Sequence, residues 1–321
     1  MFRASPRTDS PLHRSDIFHT ILCRTAACAL ACVFSLPLLL LALSPSPAKA
    51  ADHSPVWKAG KLQVFAIQDR PGGMSIDIFS GPASPEERQQ YFTDGKAPAS
   101  INVFLLRIDG KNILVDTGFG TVAPGKSALI PALNELGLAP ESINVVVLTH
   151  MHMDHVGGLL QHKERAFPKA HVMVAKAELD YWLDLAEKSP DNANAVLVKT
   201  VTEVYGKDIL PPFSFDKEIL PGVTALEATG HTPGHTVLRL DAEGKSLLII
   251  GDLLHAAALQ FALPEECASY DIDPKAAVAS RIRILDLAAQ NSIPIAGMHI
   301  PFPGHGNVTK ADKGFSFSPS E

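Results

Sequence analysis

Short apolar runs alternate with longer amphipathic stretches along this chain, and the alternation predicts its layout. Residues 62–67 and 101–108 read as strands, and 112–115 follows the turn Asp109-Gly110-Lys111 closely enough to make a hairpin. Residues 143–148, 171–174, Val223–Glu227, 236–240, 246–250 and 293–296 are further strand candidates. Leu129, Leu133 and Leu136 have helical spacing over 128–138, a stretch that stops before Pro140. Residues 175–188 and Ala193–Tyr205 predict two helices separated by Ser189-Pro190-Asp191-Asn192. Residues 274–290 predict another, with Asp273 as its cap and Pro274 in its first turn. Clusters of strands separated by helices, in two rough halves, predict an α/β protein with two packed sheets and helices outside: a four-layer αββα sandwich. No linker interrupts 60–310.

The first 50 residues follow a different pattern. Arg3, Arg7, Arg14 and Arg24 precede an apolar run over 26–43, and Ala48-Lys49-Ala50 forms a small-x-small site. That order predicts a secretory signal peptide cleaved after Ala50. Pro37 within the run and the cleavage signal behind it favour removal over a retained membrane anchor. Residues 51–321 then form one exported domain, expected to be periplasmic or secreted with no stable membrane anchor. Five of the 28 Lys+Arg and two of the 34 Asp+Glu lie in the leader, leaving 23 against 32, a net charge of −9. Such an acidic balance argues against nucleic acid as a partner. Of the cysteines only Cys267 lies beyond the leader, which excludes an intrachain disulfide there.

The chemistry begins at Thr149-His150-Met151-His152-Met153-Asp154-His155-Val156-Gly157-Gly158, directly after a buried strand. Three imidazoles and a carboxylate within six residues are costly to bury unpaired, and they are what a divalent metal ion takes as ligands. His150 and His152 alternate and so project to one side of an extended segment. Three further polar residues each follow a short apolar strand. They are His231 in Thr229-Gly230-His231-Thr232-Pro233-Gly234-His235, Asp252 in Ile250-Gly251-Asp252, and His299 in Gly297-Met298-His299. Strand ends of a sandwich gather at one edge, which makes these residues neighbours.

These motifs resemble the metallo-β-lactamase superfamily, whose H-x-H-x-D-H signature stands here as His150, His152, Asp154 and His155. Asp116-Thr117-Gly118 is similar to the family's earlier Asp-Thr-Gly turn, usually structural. The Gly-His-Thr-Pro-Gly-His-Thr stretch, the Gly-Asp-Leu strand end, 257–261, and the ending from His299 to Gly304 look most like the methyl parathion hydrolase-like subgroup. The resemblance implies two metal ions. His150, His152 and His231 would hold the first, Asp154, His155 and His299 the second, and Asp252 both; Asp154 and Asp252 are the carboxylates expected to serve catalysis as well as ligation. Zn²⁺ is the first expectation, with Mn²⁺, Co²⁺ and Fe²⁺ as alternatives for a ligand set without thiolate. A hydroxide generated between the ions would attack an electrophilic carbon or phosphorus. His235 is expected to orient a ligand rather than to be one.

For the substrate, the expectation is an uncharged ester, a phosphotriester or aryl ester. The alternative is an N-acyl-homoserine lactone, and a redox or binding role on the same scaffold is a third reading. Trp182, His255, Phe119 and Phe261 are the expected pocket residues, with Phe104 also near a ligand-bearing segment. His255, three residues beyond Asp252, stands where lactonases of the superfamily often carry tyrosine. An exposed apolar helix face would suit a homodimer.

Overall fold

The structure is a computed structural model, and it describes residues 54–320. The predicted leader, its cleavage point after Ala50 and the first three cysteines lie outside the described residues.

Six strands form the first sheet in chain order: β1 (Trp57–Ala59), β2 (Leu62–Ser75), β3 (Lys96–Ile108), β4 (Lys111–Val115), β5 (Ile143–Val147) and β6 (His171–Met173). Seven form the second, again in chain order: β7 (Lys217–Leu220), β8 (Val223–Glu227), β9 (Thr236–Ala242), β10 (Lys245–Ile249), β11 (Ile295–Ala296), β12 (His305–Lys310) and β13 (Phe315–Pro319). Period-two alternation builds the layers. Val64, Phe104, Leu106, Leu238, Leu240, Leu247 and Ile249 point into the core between the sheets. Their neighbours Phe65, Leu105 and Val146 face an outer core with the helices Leu129–Glu135, Lys176–Lys188 and Ala193–Tyr205. Val237, Leu248 and Ile250 face the opposite outer core with the helix Pro274–Asn291. The architecture expected from the sequence, α/β in four αββα layers, is the one observed. No helix among the described residues is long and apolar enough to cross a membrane.

Asp109 and Gly110 both take positive φ, 46° and 78°, in the tight β3–β4 turn that the sequence signalled. The strands β2 and β3 run well past their expected ends at Ile67 and before Ile101, as a long hairpin that projects beyond the sheet. Polar and glycine positions hid that extension, because a projecting hairpin needs no continuous apolar pattern. Strands β12 and β13 were not foreseen either; they are short and mostly polar on their outer side.

Strand direction puts the candidate ligands together. β4 and β5 are parallel, as are β10 and β11, and β8 runs in the direction of β10 because two antiparallel steps separate them. The carboxyl ends of these strands therefore share edges. A bulge in β2 between Gln68 and Arg70 turns Asp69 inward, where it is 1% exposed. Its carboxylate accepts from the backbone N–H of Phe119 at 3.2 Å, Ala128 at 3.1 Å and Leu129 at 3.3 Å, and from the Ser127 hydroxyl. One buried acid thus caps the Leu129–Glu135 helix, whose own N-cap residue Ala128 has no side-chain acceptor. Asp69→Ala takes the acceptor from Phe119 N, while Ala128 N keeps the Asp69 carbonyl and Leu129 N the Ser127 hydroxyl, and is expected to cost about 2 kcal/mol, on the order of one buried unsatisfied group. Denaturant unfolding of the variant beside the parent measures it; an unchanged midpoint refutes the role.

Candidate metal centre

Each expected ligand leaves a strand end. Leu148 and Thr149 continue β5 to His150 and His152, and the single-turn helix Met153–Val156 presents Asp154 and His155. His231 lies in the β8–β9 loop, Asp252 two residues beyond Ile250, and His299 after β11. His150 Nε2 stands 3.0 Å from His152 Nδ1, which is 2.9 Å from His231 Nε2. Around the second position, His155 Nε2 is 3.1 Å from Asp252 Oδ1 and 3.6 Å from Asp154 Oδ2, and His299 Nε2 is 3.4 Å from Asp154 Oδ2 and 3.0 Å from Asp252 Oδ2. Asp252 Oδ2 also reaches His231 Nε2 at 3.4 Å and His150 Nε2 at 3.8 Å. Asp252 therefore belongs to both clusters.

These spacings suit cations. Donors set tetrahedrally at about 2.1 Å from one ion lie about 3.4 Å from each other. His155 Nε2 and Asp252 Oδ1 are buried without a hydrogen bond of good geometry, which is costly unless an ion takes them. Two groupings, His150-His152-His231 and Asp154-His155-Asp252-His299, each offer ligand atoms that lie within 4.8 Å of one another. The residues present fit two divalent ions.

The electrostatics divide the same way. Burial pushes His231 down to about 3 and His152 down to about 4, so the first set consists of neutral imidazoles ready to donate lone pairs. Burial works against the cation at His299 too, but Asp252 and Asp154 outweigh it and hold that group up at about 10. The same balance raises His155. Burial would likewise raise Asp252, yet His155 and His299 overcome it and keep the carboxylate ionised. The second position thus balances its acids with protons on imidazoles, and a divalent ion held by Asp154, His155, Asp252 and His299 would supply that positive charge instead.

Every ligand imidazole but His152 is held from behind. His155 Nδ1 donates to Asp116 Oδ2 at 2.8 Å, while Asp116 accepts from Thr149 N at 2.8 Å and from Thr149 Oγ1 at 2.7 Å. His231 Nδ1 donates to Asp271 Oδ1 at 2.9 Å, and His299 Nδ1 to the Ser100 carbonyl at 3.0 Å. The Thr149 hydroxyl lies 3.2 Å from His150 Nδ1. Such contacts fix tautomer and ring orientation. Asp116 does more than shape a turn: it orients a ligand. Asp271 had no sequence signal, because nothing in Tyr270-Asp271-Ile272-Asp273 separates it from the helix cap at Asp273.

His235 faces the site without joining either ligand set. Its Nδ1 donates to the Ala228 carbonyl at 3.0 Å and its Nε2 accepts from Asp252 N at 2.8 Å, which fixes the backbone of the shared carboxylate. Gly251, at φ 54°, permits this: a Cβ there would stand 2.5 Å from His235 Nε2. Gly158 closes the signature loop in the same manner, since its Cβ would stand 2.0 Å from the Thr117 carbonyl.

A cavity of about 470 Å³ opens over the cluster, lined by His152, Asp154, His231, Asp252, His255 and His299 on one side. Gly72, Gly73 and Met74 of β2, Ala99, Ser100 and Ile101 of β3, Phe119, Met153, Asn194 and Tyr270 complete it. The long hairpin is thus a wall of the site. Of the expected pocket residues, His255 and Phe119 line it; Trp182 and Phe261 do not. The Trp182 indole N–H is drawn to Glu178 Oε1 at 2.6 Å, leaving the ring edge-on behind His152. Phe261 stacks on Phe317 at 5.0 Å in an outer core. Phe104 lies in the core between the sheets. Tyr270, 48% exposed at the rim, is a lining residue the sequence reading missed.

The profile of the Metallo-beta-lactamase superfamily matches residues 97–307, and the chain belongs to that superfamily. It is 27% identical to an N-acyl homoserine lactonase of Bacillus cereus and 30% identical to another of Bacillus sp, over 46% of this chain in each case and 60% and 61% of theirs. The matches therefore span about three fifths of those relatives' length. Among solved structures it is similar to the hydrolase AbOPH in the beta lactamase superfamily, at 31% identity and a TM-score of 0.75. It is also similar to AidC, a dizinc quorum-quenching lactonase in complex with the product N-hexanoyl-L-homoserine, at 25% identity and a TM-score of 0.73. Each likeness covers 83% of this chain and 96% of the other. Superfamily membership and the two His/Asp clusters agree on a metal-binding scaffold.

Asp116→Ala removes the carboxylate behind His155 and is expected to weaken metal affinity 10–100-fold, the usual cost of losing such a partner. Competition with a chromophoric chelator reads it; parent-like affinity rules the role out.

Proposed function

We propose that this protein is an N-acyl-homoserine lactone lactonase, and that Zn²⁺ fills both positions. The observation that carries the reading is the cavity: five of the His/Asp cluster residues, His152, Asp154, His231, Asp252 and His299, on one side, an apolar hairpin wall on the other, and no Lys or Arg in its lining. A neutral substrate with an ester at one end and an acyl chain at the other matches both faces. Support also comes from the lactonases among the relatives and from the product-bound dizinc lactonase among the similar structures. The phosphotriester or aryl ester expectation has less behind it, since none of these relatives points to it by activity.

His150, His152 and His231 would hold one ion, Asp154, His155 and His299 the other, and Asp252 both; the ions would supply Lewis-acid polarisation of the ester carbonyl and a water activated near neutral pH. The chain's own residues do the rest. Asp154, with 19% of its side chain exposed, and Asp252, nearly buried, present ionised carboxylates to the reacting end. Asp154 opens to the cavity, where it can take a proton and return it to the leaving alkoxide as the C–O bond breaks. Met74, Ile101 and Phe119 exclude water from the acyl side.

His255 completes the polar face. It is 1% exposed, both its ring nitrogens lack hydrogen-bond partners, and it lines the cavity with its ring stacked on His299 at 5.4 Å. A buried imidazole with free nitrogens is a donor for an ester oxygen, the task a tyrosine performs at this offset in lactonases. The activity would lie outside the cytoplasm if the leader acts as its pattern indicates.

The test is a panel on the Zn²⁺-loaded protein: acyl-homoserine lactones of several chain lengths, an aryl acetate and a neutral phosphotriester, with acid release followed by a pH indicator. The lactones are expected to exceed the others in kcat/KM by about tenfold or more, with longer acyl chains preferred, as added buried methylenes imply. A faster phosphotriester or aryl acetate overturns the lactone assignment. His255→Phe is expected to lower kcat/KM for the lactone by about 100-fold, within the range of a lost acid-base or hydrogen-bonding group, while two ions remain bound; retained activity removes His255 from the mechanism.

A further inference from the structure

Glu178 is fully buried on the Lys176–Lys188 helix, outside both ligand clusters, and its carboxylate joins the two loops that carry the first ligand set. Oε1 accepts from Met151 N at 2.8 Å, the peptide between His150 and His152. Oε2 accepts from Gly234 N at 2.9 Å, in the loop that carries His231 and His235. The Trp182 indole N–H, one helical turn on, donates to Oε1 at 2.6 Å. All three partners are donors, which an ionised carboxylate accepts and an amide could not satisfy equally. The approach is close: a Cβ on Gly234 would stand 2.3 Å from Glu178 N. The Met151 carbonyl is held in turn by Asn194 Nδ2 at 2.8 Å, from the Ala193–Tyr205 helix. Both ends of the residue between two ligands are therefore fixed from the helical layer.

The second set is tied by other residues: the Asn102 side-chain amide donates to the Gly297 and Ile300 carbonyls at 3.0 and 2.7 Å, on either side of His299, and the Thr117 hydroxyl donates to the His155 carbonyl at 2.7 Å. Its imidazoles are oriented by Asp116 and by the Ser100 carbonyl, both on the sheet. Among the expected ligand imidazoles His152 alone has no hydrogen-bond partner behind its ring, only the edge-on Trp182 that Glu178 itself holds, so its place depends on that ring and on the backbone that Glu178 and Asn194 hold. We infer that Glu178 is a positioning residue for the first metal ion: one buried carboxylate sets the distance between the His150–His152 loop and the His231 loop, and with it the triangle of three imidazoles. The inference rests on the two-ion reading of the site.

Affinity rather than activity tests it. In the Asp154→Ala background, which cripples the second position, Glu178→Gln is expected to weaken binding of Zn²⁺ or Co²⁺ by 10–100-fold, the usual loss when an outer partner of a metal site is removed. In the His152→Ala background, which cripples the first, the same change is expected to leave the remaining affinity within about threefold, below that range. Parent-like affinity in the first background, or equal losses in both, overturns the inference; equal losses would mark Glu178 as a support of the fold alone. If Glu178→Gln fails to fold, Glu178→Asp decides: it keeps the charge but is too short to span both loops, and unchanged first-position affinity refutes the role. Parents that bind no divalent ion at all would instead overturn the two-ion reading.

Discussion

One carboxylate organises this molecule. Asp252 is almost fully buried, and five imidazoles surround it: His299 at 3.0 Å, His155 at 3.1 Å, His255 at 3.3 Å, His231 at 3.4 Å and His150 at 3.8 Å. An isolated carboxylate in such a place is untenable, and it stays ionised because the His155 and His299 imidazoles outweigh its burial. The fold meets that demand by aiming strand ends from two sheets at one point. The parallel pairs β4–β5 and β10–β11 deliver their carboxyl ends to shared edges, and the glycine before Asp252 lets His235 grip its backbone. The four layers exist as much to hold this charge cluster dry as to bury apolar side chains.

Around the cluster runs a second ring of contacts that differs from one side to the other. Asp116 and the Ser100 carbonyl hold the second ligand set from the sheet, whereas Glu178 and Asn194 hold the first from the helices. Asp271, packed near the buried Arg281 at 3.7 Å, holds His231 from a third direction. Rigidity concentrates on the ligand side. The substrate side is a projecting hairpin with glycines at 72 and 73, connected to the sheet but not enclosed by it. Residues there can change without disturbing the charges.

That division explains what the sequence made legible. The seven expected ligands could be gathered because each stands near the end of an apolar strand, and the structure brings them together; their division between two ions came from the family resemblance. The helix Ala193–Tyr205 and the strand Val223–Glu227 could be read to the residue, since their periodicity starts and stops at clear breakers. The outer ring could not. Asp271 and Asp116 look like turn residues, and Asp69 gains its role from a bulge that no local pattern announces. Glu178 left a fainter trace: a lone acid four residues before Trp182 on a helix face otherwise turned inward. Trp182 and Phe261 were misplaced for a related reason. Aromatic type signals burial, but the neighbour that captures the ring, Glu178 or Phe317, comes from the tertiary structure.

The same division separates chemistry from selection. On the lactonase reading, the charges that change during hydrolysis would all arise at the ligand side: a neutral lactone would enter, and one ring-opened hydroxy acid, ionised at its carboxylate, would leave. On that reading the hairpin wall would meet the part of the substrate that stays the same, so its contacts would act alike on substrate and transition state and set which ester binds rather than how fast it breaks. Met74, Ile101 and Phe119 are therefore the positions through which this superfamily scaffold would be turned from one ester to another. His255 lies on the boundary. Buried beside Asp252 yet unpaired, it is near enough to the reacting end to feel the charge that develops there and open enough to touch the substrate that carries it.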